Sequence, residues 1–118
     1  MHAFDVLGDP VRRRLLELIA DAGEPVPAGE LAARLHEEVG ISHPAVSQHL
    51  RVLREAGFAT VTPAGTRRLY AVGERPWAEV DAWLARYRPF WDHRLDALAT
   101  EVARGRRRPP TTHTEEPS

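Results

Sequence analysis

Residues 41–58, ISHPAVSQHLRVLREAGF, restrict the fold of this chain more than any other stretch. Ser42 suits a helix N-cap, because its hydroxyl accepts from an otherwise unpaired amide in the first turn. Pro44 fits that turn, whose amides have no intrahelical acceptor to lose. Val46, Leu50 and Leu53 recur at helical spacing and make one apolar stripe, and Gly57 suits a left-handed stop before Phe58 opens the next element. At about 100° per residue, Pro44, Gln48, Arg51 and Glu55 lie opposite the stripe, with His43, Ser47 and Arg54 on its flank. Short polar side chains at the front of a helix, with arginines behind, suit a DNA major groove. Gln and Ser hydrogen-bond base edges there, and Arg bonds guanine or a phosphate. A helix that only packs by its stripe and solvates its other face would carry the same pattern, so the flanking segments decide.

The length of 118 residues fits one domain with its own core. No run of about 18 apolar residues is present, so no membrane partner is expected, and without a signal-peptide pattern the expected location is the cytoplasm. Cysteine is absent, which excludes disulfides, thiolate metal sites and cysteine nucleophiles. All 16 basic side chains are arginine, and the net charge is −1. That total is not the charge of a bulk nucleic-acid binder, but distribution matters more than the sum. Between Ser42 and Tyr70 stand Arg51, Arg54, Arg67 and Arg68 against the single acid Glu55, whereas Asp81, Asp92, Asp96 and Glu101 lie beyond.

Toward the amino terminus, residues 2–7 are apolar enough for a first helix or arm. Asp9-Pro10 then reads as N-cap and first helical residue. Val11, Leu15, Leu18 and Ile19 share a face of the helix that follows, and Gly23 ends it. Arg12, Arg13 and Arg14 occupy its first turn, where the helix dipole disfavours cations, so a partner acid or a phosphate is expected to compensate. Residues 24–29 (EPVPAG) read as a turn-rich link. Residues 30–39 form a short amphipathic helix through Leu31, Leu35 and Val39, broken by Gly40. Two helices joined through a glycine turn, the second with a groove-ready face, make a helix-turn-helix.

After Gly57, FATVTPAGTRRLYAV gives two β-rich runs around Pro63-Ala64-Gly65, a hairpin with a bulge. Thr66, Arg67 and Arg68 stand just past its tip, where a wing would reach DNA backbone or minor groove. An ordinary solvated hairpin is the alternative. From Pro76 a helical pattern runs to about Ala103, carrying Trp77, Val80, Leu84, Tyr87, Trp91, Leu95, Leu98 and Val102 at steps of three or four. That stripe exceeds what one small core can cover, which points to a twofold homodimer. Pro89 predicts a kink or break near Arg88–Pro89. The expected organisation is a domain over residues 1–105 and a disordered polar tail over 106–118.

Taken with the words GDPVRRRLLELI, ELAARL, SHPAVSQHLRVLREAGF and GTRRLYAV, this order resembles the ArsR family of winged-helix bacterial repressors over roughly residues 3–103. The resemblance implies a mainly α fold with a β-hairpin wing, dimerising through its first and last helices and binding a double-stranded operator. It places groove contacts at His43, Pro44, Ser47 and Gln48 and wing contacts at Arg67 and Arg68. Residues 36–39 lengthen the helix before the turn beyond the family pattern, and the angle between the two helices can differ accordingly. At the positions of the family's Cys-x-Cys metal pair stand Pro27 and Gly29, which cannot ligate. His93 with Asp96 is the remaining metal candidate, and His36, His43 and His49 share no evident cluster. YRPFWDHRLDAL, residues 87–98, is similar to members without a metal site, so no cofactor and no metal are expected.

The function expected is therefore a metal-independent, sequence-specific repressor of transcription, acting as a homodimer on an inverted repeat and controlling its own operon. Ser47, Gln48 and His43 would face bases, and Arg51 and Arg54 phosphates or guanine. A repressor released by a metal or small ligand, or a winged helix used for protein interaction, are the other readings. Without a thiol, a glycine-rich phosphate loop or a Ser/His/acid set, no enzyme is expected.

Overall fold

The computed structural model describes residues 2–107. Its elements in chain order are helices α1 (Ala3–Leu7) and α2 (Pro10–Ala22), strand β1 (Val26–Pro27), helices α3 (Ala28–Val39) and α4 (His43–Glu55), strands β2 (Ala59–Ala64) and β3 (Arg67–Val72), and helices α5 (Arg75–Ala85) and α6 (Arg88–Arg107). They form two compact units, one up to Ala82 and one from Trp83 onwards.

In the first unit the apolar stripes of α2, α3 and α4 meet. Leu15, Leu31, Leu35, Val46, Leu50 and Leu53 are fully buried around Phe58, with Val6 of α1 and Tyr70 of β3 completing the cluster. The caps follow the sequence signals. Asp9 accepts from the amides of Val11 and Arg12, and Ser42 accepts from Ala45. Burial alone would raise the Asp9 carboxyl; those two amides, with the charges of His49 and Arg12, more than offset it and hold the group below its ordinary range.

The sheet has order β1-β3-β2, antiparallel throughout. Strand β1 corrects the reading of residues 24–29 as a link, since Val26 pairs with Tyr70 and Pro27 with Leu69. A proline is tolerated there because an edge strand need not donate on its outer side. The hairpin tip also lies later than expected. Ala64 pairs with Arg67, leaving Gly65-Thr66 as a two-residue loop without a bulge, and Gly65 takes the positive φ of 66° that such a loop requires. Where β3 ends, a Cβ on Gly73 would collide with the Gly57 carbonyl oxygen, so only glycine lets the strand return this close to the end of α4.

The carboxyl-terminal helical pattern is two helices. Arg86 and Tyr87 form a turn, donating to the carbonyls of Trp83 and Leu84, and α6 starts at Arg88. Pro89 therefore sits in the first turn of a new helix, where its missing N–H costs nothing, and the break precedes the expected position by one or two residues. Helix α6 continues to Arg107, past the expected boundary at residue 105. The rest of the expected tail, from residue 108, lies outside the described residues. Among those described, no helix is long and apolar enough to cross a membrane.

Candidate nucleic-acid interface

Helix α4 buries Val46, Leu50 and Leu53 and turns His43, Pro44, Ser47, Gln48 and Arg51 to solvent, with Arg54 half-buried beside them. The outward face is thus set by the inward one, since the stripe leaves these positions no other direction. Strand β3 stands across from it. Arg68 and Tyr70, two residues apart and so on one face of the strand, line a groove whose opposite wall is Pro44, Ser47, Gln48, Arg51 and Arg54. Among the described residues, no carboxylate lines this groove. A second groove runs from Thr66, Arg67 and Arg68 to the start of α3 at Pro27, Ala28, Gly29 and Glu30, so Arg68 belongs to both.

The arginines are available in different degrees. Arg51 donates to Glu55 one turn on, at 3.0 Å, but both side chains are exposed, and such a pair is worth only a few tenths of a kcal/mol, roughly 0.3–0.5. A phosphate can displace it at small cost. Arg54 has a buried Nε that meets no hydrogen-bond partner among the described residues. Together these side chains can hold a polyanion along the groove while Ser47 and Gln48 present neutral donors and acceptors beside it.

Arg12, Arg13 and Arg14 turn out to be engaged within the fold. Arg12 Nε donates to the Val6 carbonyl at 2.8 Å, its Nη2 to that of Asp5 at 3.1 Å, and Arg13 Nη1 to that of Leu7 at 2.6 Å. These are the open carbonyls at the end of the five-residue α1, so the two arginines serve as its C-terminal cap. Of the compensations expected from the sequence, the partner acid applies to Arg14, which binds Glu17 and Glu38, and at 4.0 Å to Arg12, beside Asp9.

His36 of α3 and His43 of α4 meet across the turn of the helix-turn-helix with ring centroids 6.2 Å apart. His49 instead faces Arg12, its Nδ1 3.4 Å from the guanidinium. Among the described residues, no three His, Asp or Glu side chains gather as a metal site, His93 and Asp96 included.

The residues expected at a dimer contact divide. Trp77 donates its indole N–H to the Gly73 carbonyl at 2.7 Å and sets its ring edge-on to Phe58 while staying 37% exposed, and Val80 packs against the core. Leu84, Tyr87, Trp91, Leu95 and Leu98 are exposed. One groove residue, Tyr70, has no place among the sequence expectations. Tyr70 was legible from the alternation that places it on the face of Arg68, whereas the tie between Arg14 and Glu38, 24 residues apart, left no local signal.

A helix-turn-helix domain family model matches residues 7–62. The HTH-type transcriptional regulator Rv2034 of Mycobacterium tuberculosis is 38% identical over 98 residues, covering 83% of each chain. A crystal structure of an ArsR-family transcriptional regulator superposes with a TM-score of 0.62 at 27% identity, covering 75% of this chain and 91% of that one. The transcriptional repressor BigR of Xylella fastidiosa gives 0.51 at 29% identity, over 74% of this chain and 81% of that one. A groove-facing helix behind a glycine turn, an arginine-bearing hairpin beside it and relatives of this kind lead to one placement: the chain belongs to the ArsR family of winged helix-turn-helix transcriptional regulators.

Proposed function

We propose that the protein is a repressor of transcription that binds an inverted-repeat operator as a homodimer, without a metal, and controls its own promoter. The observation that carries this reading is the groove between α4 and β3, with three arginines and, among the described residues, no carboxylate on its walls. Its roles divide by chemistry. Ser47 and Gln48, with His43 at the front of the helix, read base edges in the major groove; Arg51 and Arg54 hold phosphates; Thr66, Arg67 and Arg68 clamp the flanking backbone or minor groove. Tyr70 lines the groove beside Arg68.

A single such unit reads only a few base pairs, and a twofold pair presents two α4 helices to successive major grooves, about 34–36 Å apart or a multiple of that. The exposed aromatic and aliphatic side chains of α6 supply the self-associating surface. Repression then needs only that the dimer cover a promoter, and the place of action is the cytoplasm, with the chromosome. BigR, named a repressor, supports the direction of control.

Selection from random DNA tests this reading: it should enrich an inverted repeat, unchanged by zinc or chelator. On that operator Gln48→Ala loses about 1–3 kcal/mol at one base position, while Arg68→Ala weakens operator and random DNA alike and reduces the salt slope by about 1. No enrichment, or equal losses on both DNAs for Gln48→Ala, contradicts the assignment.

A further inference from the structure

Helix α3 outruns its own core. Leu35 is its last buried side chain; His36, Glu37 and Glu38 are exposed, and Val39 is 62% exposed. A terminal turn without an apolar anchor tends to fray, yet the chain leaves from this turn for Ser42 and the recognition helix α4. Any looseness here is passed on to the direction in which α4 is presented.

What holds the turn is polar. Glu38 takes a two-pronged bond from Arg14 of α2, with Nε to Oε1 at 2.8 Å and Nη2 to Oε2 at 2.9 Å. Arg34, one turn back on α3, adds Nε to Oε2 at 2.7 Å, and Arg14 is itself steadied by Glu17 at 3.2 Å. Beyond Glu38, the Gly40 amide donates to the His36 carbonyl at 2.8 Å, and His36 Nδ1 lies 3.1 Å from the Ile41 carbonyl oxygen.

From this geometry we infer that Glu38 is a positioning residue for DNA recognition: its fork to Arg14 locks the end of α3 onto α2 and so sets how α4 meets its operator. The inference rests on the DNA-binding reading above. An isolated surface pair would be too weak for this task, but a bidentate fork within a network of four charges is the case in which exposed pairs hold geometry. The Arg14 hydrogen bonds, against some desolvation and with help from Arg34, hold the Glu38 carboxyl at about 2, so the fork is charged at every pH used for DNA binding. Because the network is solvated, its loss should register in selectivity rather than in stability.

The test uses the full chain and an operator selected with the wild type. Glu38→Gln keeps the side-chain shape and removes the charge; it should lower operator affinity about fivefold, within the range of coupled neighbouring residues. Affinity for random DNA and the thermal midpoint should not change. Arg14→Gln should give the same loss, and the double variant no more than either alone. Glu17→Gln, which touches Arg14 but not α3, should leave the operator affinity as it is. Unchanged operator binding in Glu38→Gln, equal loss on both DNAs, a lowered midpoint that accounts for the loss, or additive losses with Arg14→Gln would each overturn the inference. A wild type with no operator preference would instead overturn the DNA-binding reading beneath it.

Discussion

Helices α4 and α6 carry apolar stripes of the same period and use them in opposite ways. Val46, Leu50 and Leu53 of α4 vanish into a core shared with α2, α3 and the sheet, and the polar face is left as the working surface. On α6, Trp91, Leu95 and Leu98 are 58%, 56% and 57% exposed, and here the apolar face itself is the surface on offer. Periodicity therefore identifies which side of a helix is apolar, but not whether this chain or another molecule covers it. Helix α5 shows both outcomes in succession: Val80 packs against that core, while Leu84, one turn on, is exposed.

The contrast breaks most visibly at its buried side. Phe58→Ala should cost about 3–5 kcal/mol in the unfolding free energy followed by denaturant, because the ring is fully buried and supports Trp77. A loss below 1 kcal/mol would mean that this core is less closely packed than its burial implies. On the exposed side, Leu95→Glu with Leu98→Glu should convert the proposed dimer to a monomer in sedimentation while leaving the far-ultraviolet spectrum helical. Operator affinity should then fall by about 10²-fold or more, as linked sites lose their second contact. A dimer that survives both changes would place self-association elsewhere.

The smallest effect sharpens the account of the buried unit. Asp9→Ala should cost about 1 kcal/mol as a lost N-cap. The Asp9 carboxyl titrates below its ordinary value of 3.8 in the folded protein, so its contribution is complete above that pH and fades as pH falls through the lowered value. The difference between Asp9→Ala and wild type should accordingly be constant near neutrality and vanish in acid. A difference that grew in acid would contradict the cap.

What the sequence made legible was carried by local chemistry. Asp9-Pro10, Ser42 with Pro44, and Gly57 mark helix ends because caps act within one turn, and α4 and its outward residues follow from a period read over four turns. The wing was foreseen as a hairpin, with its tip misplaced by a residue or two because Pro63 and Ala64 sit in the strand opposite Arg68 and Arg67. What stayed hidden depended on partners distant in sequence. Strand β1 exists only because β3 passes beside Val26, and the role of Arg12 and Arg13 depends on the open end of a neighbouring helix. Pairs such as Arg14–Glu38 and His36–His43 arise from how helices are brought together, which no spacing rule within one element reports.

The most direct measurement of the central claim is a titration of the purified protein against the DNA upstream of its own gene and a scrambled control, across several salt concentrations, with and without zinc. A preference of ~10³-fold or more for the upstream DNA, with affinity falling steeply in salt and indifferent to zinc, is the result expected of a metal-independent autorepressor. Equal affinity for both DNAs at every salt concentration would contradict self-regulation, and affinity abolished by zinc would contradict metal independence.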